Sequence, residues 1–270
     1  MGVSGTLCFV IIVSTVTLAL AFMSFQIFTS SEIAALRKGG QILRGCLEET
    51  AKHVRPGVTT AELDRIAEEY IRSHDGAQPA FKGYNGFPAT LCTSVNDQCV
   101  HGIPGPRVLE EGDIVGLDGG VIYGKLYTDA CITVPVGAIK PEVKKFLEIS
   151  EQALEKACAL VAPGTRIGDI SSVIQKFLEE HGYTPVNGLT GHGLGTTLHQ
   201  FPDVPNAGKA GSGPALPKHT IIAIEPITSM GKPNIREEDD GWTIATADGS
   251  LSAHFEHTVL VTPEGYEILA

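Results

Sequence analysis

Two stretches decide how the chain is organised: PGVTTAELDRIAEEYIRSHDG, residues 56–76, and PGTRIGDISSVIQKFLEEHG, residues 163–182. Laid over one another, their Pro-Gly pairs coincide, and so do Glu62 with Asp169 and Leu63 with Ile170. Further on Ile66 meets Val173, Tyr70 meets Phe177 and His74 meets His181. Each stretch reads as a Pro-Gly turn, a polar cap and an amphipathic helix with apolar residues three and four apart. Turn-helix units are common and two can coincide, but the flanking features are doubled as well. A helix over Ile33–Val54 precedes the first unit, and a helix over Pro141–Val161 precedes the second. Strand-like runs follow each unit. VLEEGDIVGLDGGVIYGKLYTDACITVPV, from Val108, holds two β-rich segments around a Gly-rich turn, and TIIAIEPITS with SAHFEHTVLVT makes a second pair. Helix, helix, strands, repeated once, is an α+β order. It predicts two pseudo-symmetric halves with an antiparallel sheet covered by helices on one side. No Pro/Ser-rich linker separates the halves, so residues 23–270 are read as a single domain.

At 270 residues, 43% hydrophobic and 19% charged, the chain has the composition of a globular protein rather than a disordered one. A formal net charge of −11 repels phosphate backbones and argues against nucleic-acid binding through a basic face. Carboxylates are also the ligands that hard and borderline divalent metals prefer. The six cysteines are scattered without a CxxC pair, the pattern of free thiols in a reducing compartment. Cys92 and Cys99 could lie on neighbouring strands, but spacing alone shows no bridge.

The first thirty residues are a separate matter. No charged side chain precedes Glu32, and LCFVIIVSTVTLALAFMSFQIF, residues 7–28, is long enough to span a bilayer. A secretory signal opens with Lys or Arg, and MGVSGT has neither. If the segment inserts, Arg37 and Lys38 hold the remainder on the cytoplasmic side. The competing reading starts the chain at Met23, where MSFQIFTSSEIAALRKGG offers a short alternating strand, then Thr29 or Ser30 as N-cap, then a helix. Residues 1–22 are then an apolar leader from a start assigned too early.

Asp118 sits within IVGLDGG, Asp129 within YTDACITV, Glu225 within IIAIEPI and Glu256 within AHFEHTVLV, while His192 stands between glycines in GHGLG. Charged residues in apolar strands are informative, since an unpaired buried carboxylate costs several kcal/mol. Any one of them could be a satisfied structural pair. Gathered together without a cation, they would repel one another. Divalent metals sharing these carboxylates would resolve that conflict and supply a water that ionises near neutral pH. Periodicity does not say whether these residues meet in space.

TSVNDQCVHGIP, GHGLGTTLH, AIEPI and SLSAHFEHTVLVT, in this order, resemble the signature blocks of the type I methionine aminopeptidases. The spacings of Asp118 to Asp129 and of Glu225 to Glu256 agree with that family, and the resemblance runs from about Met23 to the last residue. It implies the pita-bread fold, whose two halves account for the internal repeat. It implies two divalent ions (Co, Mn, Fe or Zn), with Asp118 chelating one, His192 and Glu225 holding the other, and Asp129 with Glu256 bridging both. Glu225 is then also the proton shuttle. His199 would stabilise charge on the scissile carbonyl oxygen, and His101 would hydrogen-bond the substrate backbone. The family's methionine slot falls on Phe81, Tyr84, Phe87, Cys92, Leu198 and Trp242, aromatic rings and soft sulfur that suit a thioether. Phe81 stands where some relatives have cysteine, and Leu198 where phenylalanine is common. Ala130 follows Asp129 in place of Ser or Thr, and Gln200 replaces a frequent glutamate. These departures touch pocket shape and metal preference.

The implied partners are the N-termini of nascent polypeptides at the ribosome, for a monomeric enzyme working in the cytoplasm, with membrane contact through residues 7–28 if the leader is made. Prolidases and aminopeptidase P share the ligand set. They generally carry an extra amino-terminal domain, and VNDQCVHGIP with SLSAHFEHT favours the methionine enzymes. A non-catalytic pita-bread binding protein would be expected to have lost ligands that are all present here.

Overall fold

A computed structural model of the chain describes residues 24–270. The leader through residue 22, with its anchor and early-start readings, lies outside the described residues. Among the described residues no helix is long and apolar enough to cross a membrane.

Helix α1 (Ser30–Ala51) begins where Thr29 and Glu32 form a reciprocal capping box. Glu32 Oε2 accepts from Thr29 N at 2.8 Å, while Thr29 Oγ1 accepts from Glu32 N at 3.4 Å. Helix α2 (Thr60–Arg72) is capped by Thr59, whose Oγ1 accepts from Glu62 N. Helix α3 (Pro141–Cys158) has proline in its first turn, where no amide hydrogen is needed. Helix α4 (Ile167–Glu180) starts beside Asp169, which accepts from Arg166 N. The first and third helices stop short of the expected Val54 and Val161. There three-residue turns close the ends, Val54 N on Ala51 O and Val161 N on Cys158 O.

The expected strand over residues 24–28 does not form. Phe28 makes one backbone bond, to His219 O, and the rings act as plugs instead of ladder residues. Phe25 stands edge-on to Phe201 at 5.0 Å, and Phe28 is buried against Gly195, where any Cβ would strike the ring.

The first half is built on β4 (Ile114–Tyr123) and β5 (Leu126–Pro135), paired residue for residue from Ile114–Pro135 to Tyr123–Leu126. Gly124 and Lys125 make its two-residue turn, both with positive φ, the geometry whose twist matches a hairpin. β1 (Ala77–Pro79) and β2 (Leu91–Val95) flank β4. The second half holds β7 (Thr190–Gly193), β8 (Gln200–Pro205), β9 (Ile221–Ile224), β14 (His257–Thr262) and β15 (Gly265–Ile268), ordered β15-β14-β9-β7-β8. Shorter strands complete the described set. β13 (Ser252–His254) and β6 (Thr184–Pro185) lie either side of β10 (Ile227–Ser229), while β12 (Ile244–Thr246) lies between β11 (Ile235–Glu237) and β3 (Gln98–Val100). Every strand pairing is antiparallel, as expected. The single sheet is instead divided. Glu225–Pro226 lie between β9 and β10, where proline offers no amide to continue a ladder, and Phe255–Glu256 lie between β13 and β14. A bridge between Cys131 and Glu256 joins the halves across the break.

The duplication read from the two Pro-Gly turns reappears in three dimensions. Gly57 N donates to Leu109 O and Gly164 N to Leu216 O, each at 2.8 Å. Thr59 bridges Val108 as Arg166 bridges Ala215. His74 Nδ1 meets Tyr70 O at 2.9 Å, and His181 Nδ1 meets Phe177 O at 2.8 Å. Each half has its own core, Leu43, Leu63 and Leu117 in one, Phe146, Ile170 and Val259 in the other. The site forms between them.

Candidate metal centre and binding cavity

Strand pairing assembles the acidic residues. Directly opposed residues of an antiparallel ladder share a face, as do alternate residues of one strand. Asp118 on β4 is opposite Cys92 on β2 and Cys131 on β5, and Cys131 bridges Glu256. Asp129 lies two residues before Cys131 and joins the same face. From the second half come Glu225, just past β9, and His192 on β7. Glu225 occupies the position in its half that Asp118 occupies in the other, counted from the Pro-Gly turns.

The local sequence explains how closely these elements approach. A Cβ at Gly191 would strike Ala223 O, and one at Gly193 would strike Phe201 O, so the glycines beside His192 let three strands crowd together. Thr258 ties β14 to β5, its Oγ1 accepting from Asp129 N at 2.9 Å and donating to Asp129 O at 2.6 Å. Asn206 Nδ2 donates to Glu225 O at 2.8 Å, satisfying the carbonyl just past the end of β9.

Asp129, His192 and Glu256 place one donor atom each within 4.8 Å of one another. His192 Nε2 stands 3.5 Å from Glu225 Oε1 and 4.0 Å from Asp129 Oδ2. His192 Nδ1 faces Gly193 O at 3.0 Å, which leaves the lone pair on Nε2 directed at the carboxylates. Asp118, Asp129 and Glu256 are only 8%, 3% and 2% exposed, and Asp118 Oδ1, Asp129 Oδ1 and Glu256 Oε1 have no hydrogen-bond partner. Orphaned buried carboxylate oxygens around an imidazole are the donor set a borderline divalent cation takes. Burial pushes Asp118 up to about 7, and it drives Asp129 and Glu256 well above the usual carboxylate range, with the neighbouring carboxylates adding to the shift. A cation is what would return all three to the ionised form. This buried Asp/His/Glu cluster is compatible with a metal site.

The cluster forms the floor of a cavity of about 200 Å³. Every site residue expected from the sequence lines it. Phe81, Phe87, Cys92 and Leu198 pack together as a buried apolar wall, with Tyr84 and Trp242 half-buried at its edge. Trp242 meets Phe87 edge to face at 5.2 Å. His199 stacks edgewise on His192, centroids 4.3 Å apart, and its Nδ1 lies 3.2 Å from the Tyr84 hydroxyl. Surrounding protein pushes His199 down to about 4, helped by His192, although its outer edge is open. His101 adopts left-handed backbone, φ 59°, and desolvation holds its pKa below the ordinary histidine value. Both shifts favour the neutral imidazole.

Sequence reasoning missed three lining residues, Asn85, Val100 and His254. For His254 a signal was present. It precedes Glu256 by two positions in a β segment, and period-two alternation puts both on one face.

Comparison with known proteins agrees with this geometry. The metallopeptidase family M24 profile matches residues 34–263, which places the chain in the metallopeptidase class. A methionine aminopeptidase of Clostridium perfringens is 47% identical over 239 residues, covering 88% of this chain and 96% of the relative. The crystal structure of the methionine aminopeptidase from Thermotoga maritima superposes with a TM-score of 0.90 at 40% identity, covering 91% of this chain and 99% of that one. The chain belongs to the methionine aminopeptidase family, with the pita-bread fold. Prolidase from Pyrococcus furiosus, at 20% identity and a TM-score of 0.75 over 98% of this chain and 74% of that one, shares the fold alone.

Proposed function

We propose that this metal-dependent aminopeptidase hydrolyses the first peptide bond of nascent polypeptides that begin with methionine and carry a small second residue. The observation that supports it is the orphaned carboxylate cluster lying beside an apolar, sulfur-bearing slot within one cavity. Two divalent cations, Co, Mn, Fe or Zn, fit the donors. Asp118 would hold one, His192 and Glu225 the other, and Asp129 with Glu256 both. When bound, the cations supply Lewis-acid polarisation of the carbonyl and a water acidic enough to attack near neutral pH.

The remaining steps fall to the side chains. Phe81, Phe87, Cys92 and Leu198 receive the methionine thioether, Tyr84 and Trp242 closing the slot. Glu225 accepts the proton of the attacking water and passes it to the leaving amine. In the tautomer where the Tyr84 hydroxyl donates to Nδ1, His199 carries its proton on Nε2 and offers it to the carbonyl oxygen as charge develops there. His101 fixes the substrate backbone at the mouth. The same reading places the enzyme in the cytoplasm as a monomer acting at the ribosome.

A second-residue series tests the substrate assignment. Met-Gly-Ser and Met-Ala-Ser should release methionine at least about tenfold faster, by kcat/KM, than Met-Leu-Ser and Met-Lys-Ser, since one steric misfit of 1–3 kcal/mol suffices for that ratio. Equal rates across the series would remove the small-residue requirement.

A further inference from the structure

We propose that His254 is an additional donor of the metal centre, a second imidazole acting alongside His192. The inference rests on the reading that the carboxylate cluster holds divalent cations, and it adds a residue to that donor set.

The geometry around Glu225 carries it. Oε1 of this carboxylate lies 3.5 Å from His192 Nε2, and Oε2 lies 3.5 Å from His254 Nε2. The two imidazoles thus flank one carboxylate at the same separation, one at each oxygen. His254 Nε2 is also 3.7 Å from Glu256 Oε2, and the residue lines the cavity. These distances are long for hydrogen bonds, whose usual range is about 2.7–3.2 Å. The two 3.5 Å separations suit donors around a common cation, because ligands bonded at about 2.1 Å stand roughly 3.0–3.5 Å apart when adjacent, with Glu256 slightly farther off.

His254 is 4% exposed, and its Nε2 has no hydrogen-bond partner. A buried imidazole nitrogen without an aligned hydrogen bond, standing beside two carboxylates of the cluster, presents its lone pair to the same centre as His192. Its backbone is held from β5. Thr133 Oγ1 accepts from His254 N at 2.9 Å and donates to His254 O at 2.7 Å, and Cys131 Sγ donates to the same carbonyl at 3.4 Å. On its other side His254 pairs with Ile227 of β10. A side chain set on strands fixed from both sides is positioned as a ligand rather than left to swing.

A second imidazole softens a carboxylate-rich centre. It favours Co(II) and Zn(II) over Mn(II), for which oxygen donors suffice.

The test uses the full chain, stripped of metal and titrated with Co(II) against a chromophoric chelator, as wild type and as His254→Gln, a substitution of similar size without the ring nitrogen. The variant should bind Co(II) about 10–100-fold more weakly, a loss at least that of an outer-sphere partner. Its Mn(II) affinity should fall less, and its visible Co(II) absorption should change in position and intensity. A readout without substitution runs in parallel. Proton NMR of the Co(II)-loaded wild type should show strongly shifted, exchangeable imidazole N–H signals from two histidines. Unchanged Co(II) affinity and absorption in the variant, or shifted signals from a single histidine in the wild type, would overturn the inference while leaving the metal centre intact. Failure of the wild type to take up Co(II) would overturn the proposed function along with it.

Discussion

Glu225→Gln lowers kcat for release of methionine from Met-Ala-Ser by about 10²–10⁴-fold, the usual contribution of a general base-acid, with the fold intact. The substitution keeps the shape of the side chain and removes its charge and basicity. Everything that positions the residue stays. Its carbonyl remains held by Asn206, Pro226 still breaks the strand behind it, and His192 and His254 still flank its head group. Glu225 is also assigned as a ligand, so bound metal is quantified alongside the rate at saturating Co(II). A low kcat with full metal occupancy isolates the proton relay. A wild-type kcat in the fully loaded variant would remove Glu225 from the chemistry.

Chelation should make stability strongly pH-dependent. The folded-state pKa of Asp118, about 7, lies above its ordinary value of 3.8, with burial the largest cause. For a group raised in this way, the favourable contribution is complete below the unfolded pKa and is lost as pH climbs through the folded value. Stripped protein should therefore lose stability between about pH 4 and pH 7, and the upward shifts of Asp129 and Glu256 carry the loss to higher pH. At 1.36 kcal/mol per unit, Asp118 alone accounts for an upper bound of roughly 4 kcal/mol. Loading with Co(II) should reverse the loss, because the cation supplies the charge the ionised carboxylates lack. Thermal unfolding of EDTA-treated and Co(II)-loaded protein at pH 5 and pH 8 measures both arms. Asp118→Asn should raise the Tm of the stripped protein at pH 8, and by less than half as much at pH 5, where only part of the loss has been incurred. An equal response of wild type and Asn variant at the two pH values would mean the carboxylate is not held as described.

Much of the architecture could be read from local patterns because it is duplicated. The Pro-Gly turns at Pro56 and Pro163 and the helices after them carry their own caps and apolar stripes, and the hairpin through Gly124 and Lys125 has the turn its twist requires. What stayed hidden depends on partners far along the chain. The alternation of SFQIF is real, but no strand forms there; Phe28 N donates to His219 O instead, and no sequence pattern announces that. The break between β9 and β10 falls at Pro226, a visible residue whose effect depends on which strand lies beside it. Asp118, Asp129, Glu225 and Glu256 were conspicuous as charges in apolar runs, and the register Cys92–Asp118–Cys131–Glu256 is what turns that observation into a cluster. His254 lacks that contrast of charge, and its one signal is its place two residues before Glu256 in SAHFEHT. Asn85, in a turn with φ 48°, and Val100, at the end of the three-residue strand β3, reach the cavity from segments too short for periodicity to read.

The most direct test of metal-dependent methionine removal is made on the full chain stripped of metal and then resupplied with Mn(II), Fe(II), Co(II) or Zn(II), one at a time. Met-Ala-Ser and Ala-Pro are assayed side by side. Methionine release from Met-Ala-Ser that is absent without metal, restored by at least one cation, and not accompanied by Ala-Pro cleavage is the predicted result. Folded protein that binds the cations yet leaves Met-Ala-Ser intact, or that prefers Ala-Pro, would contradict it.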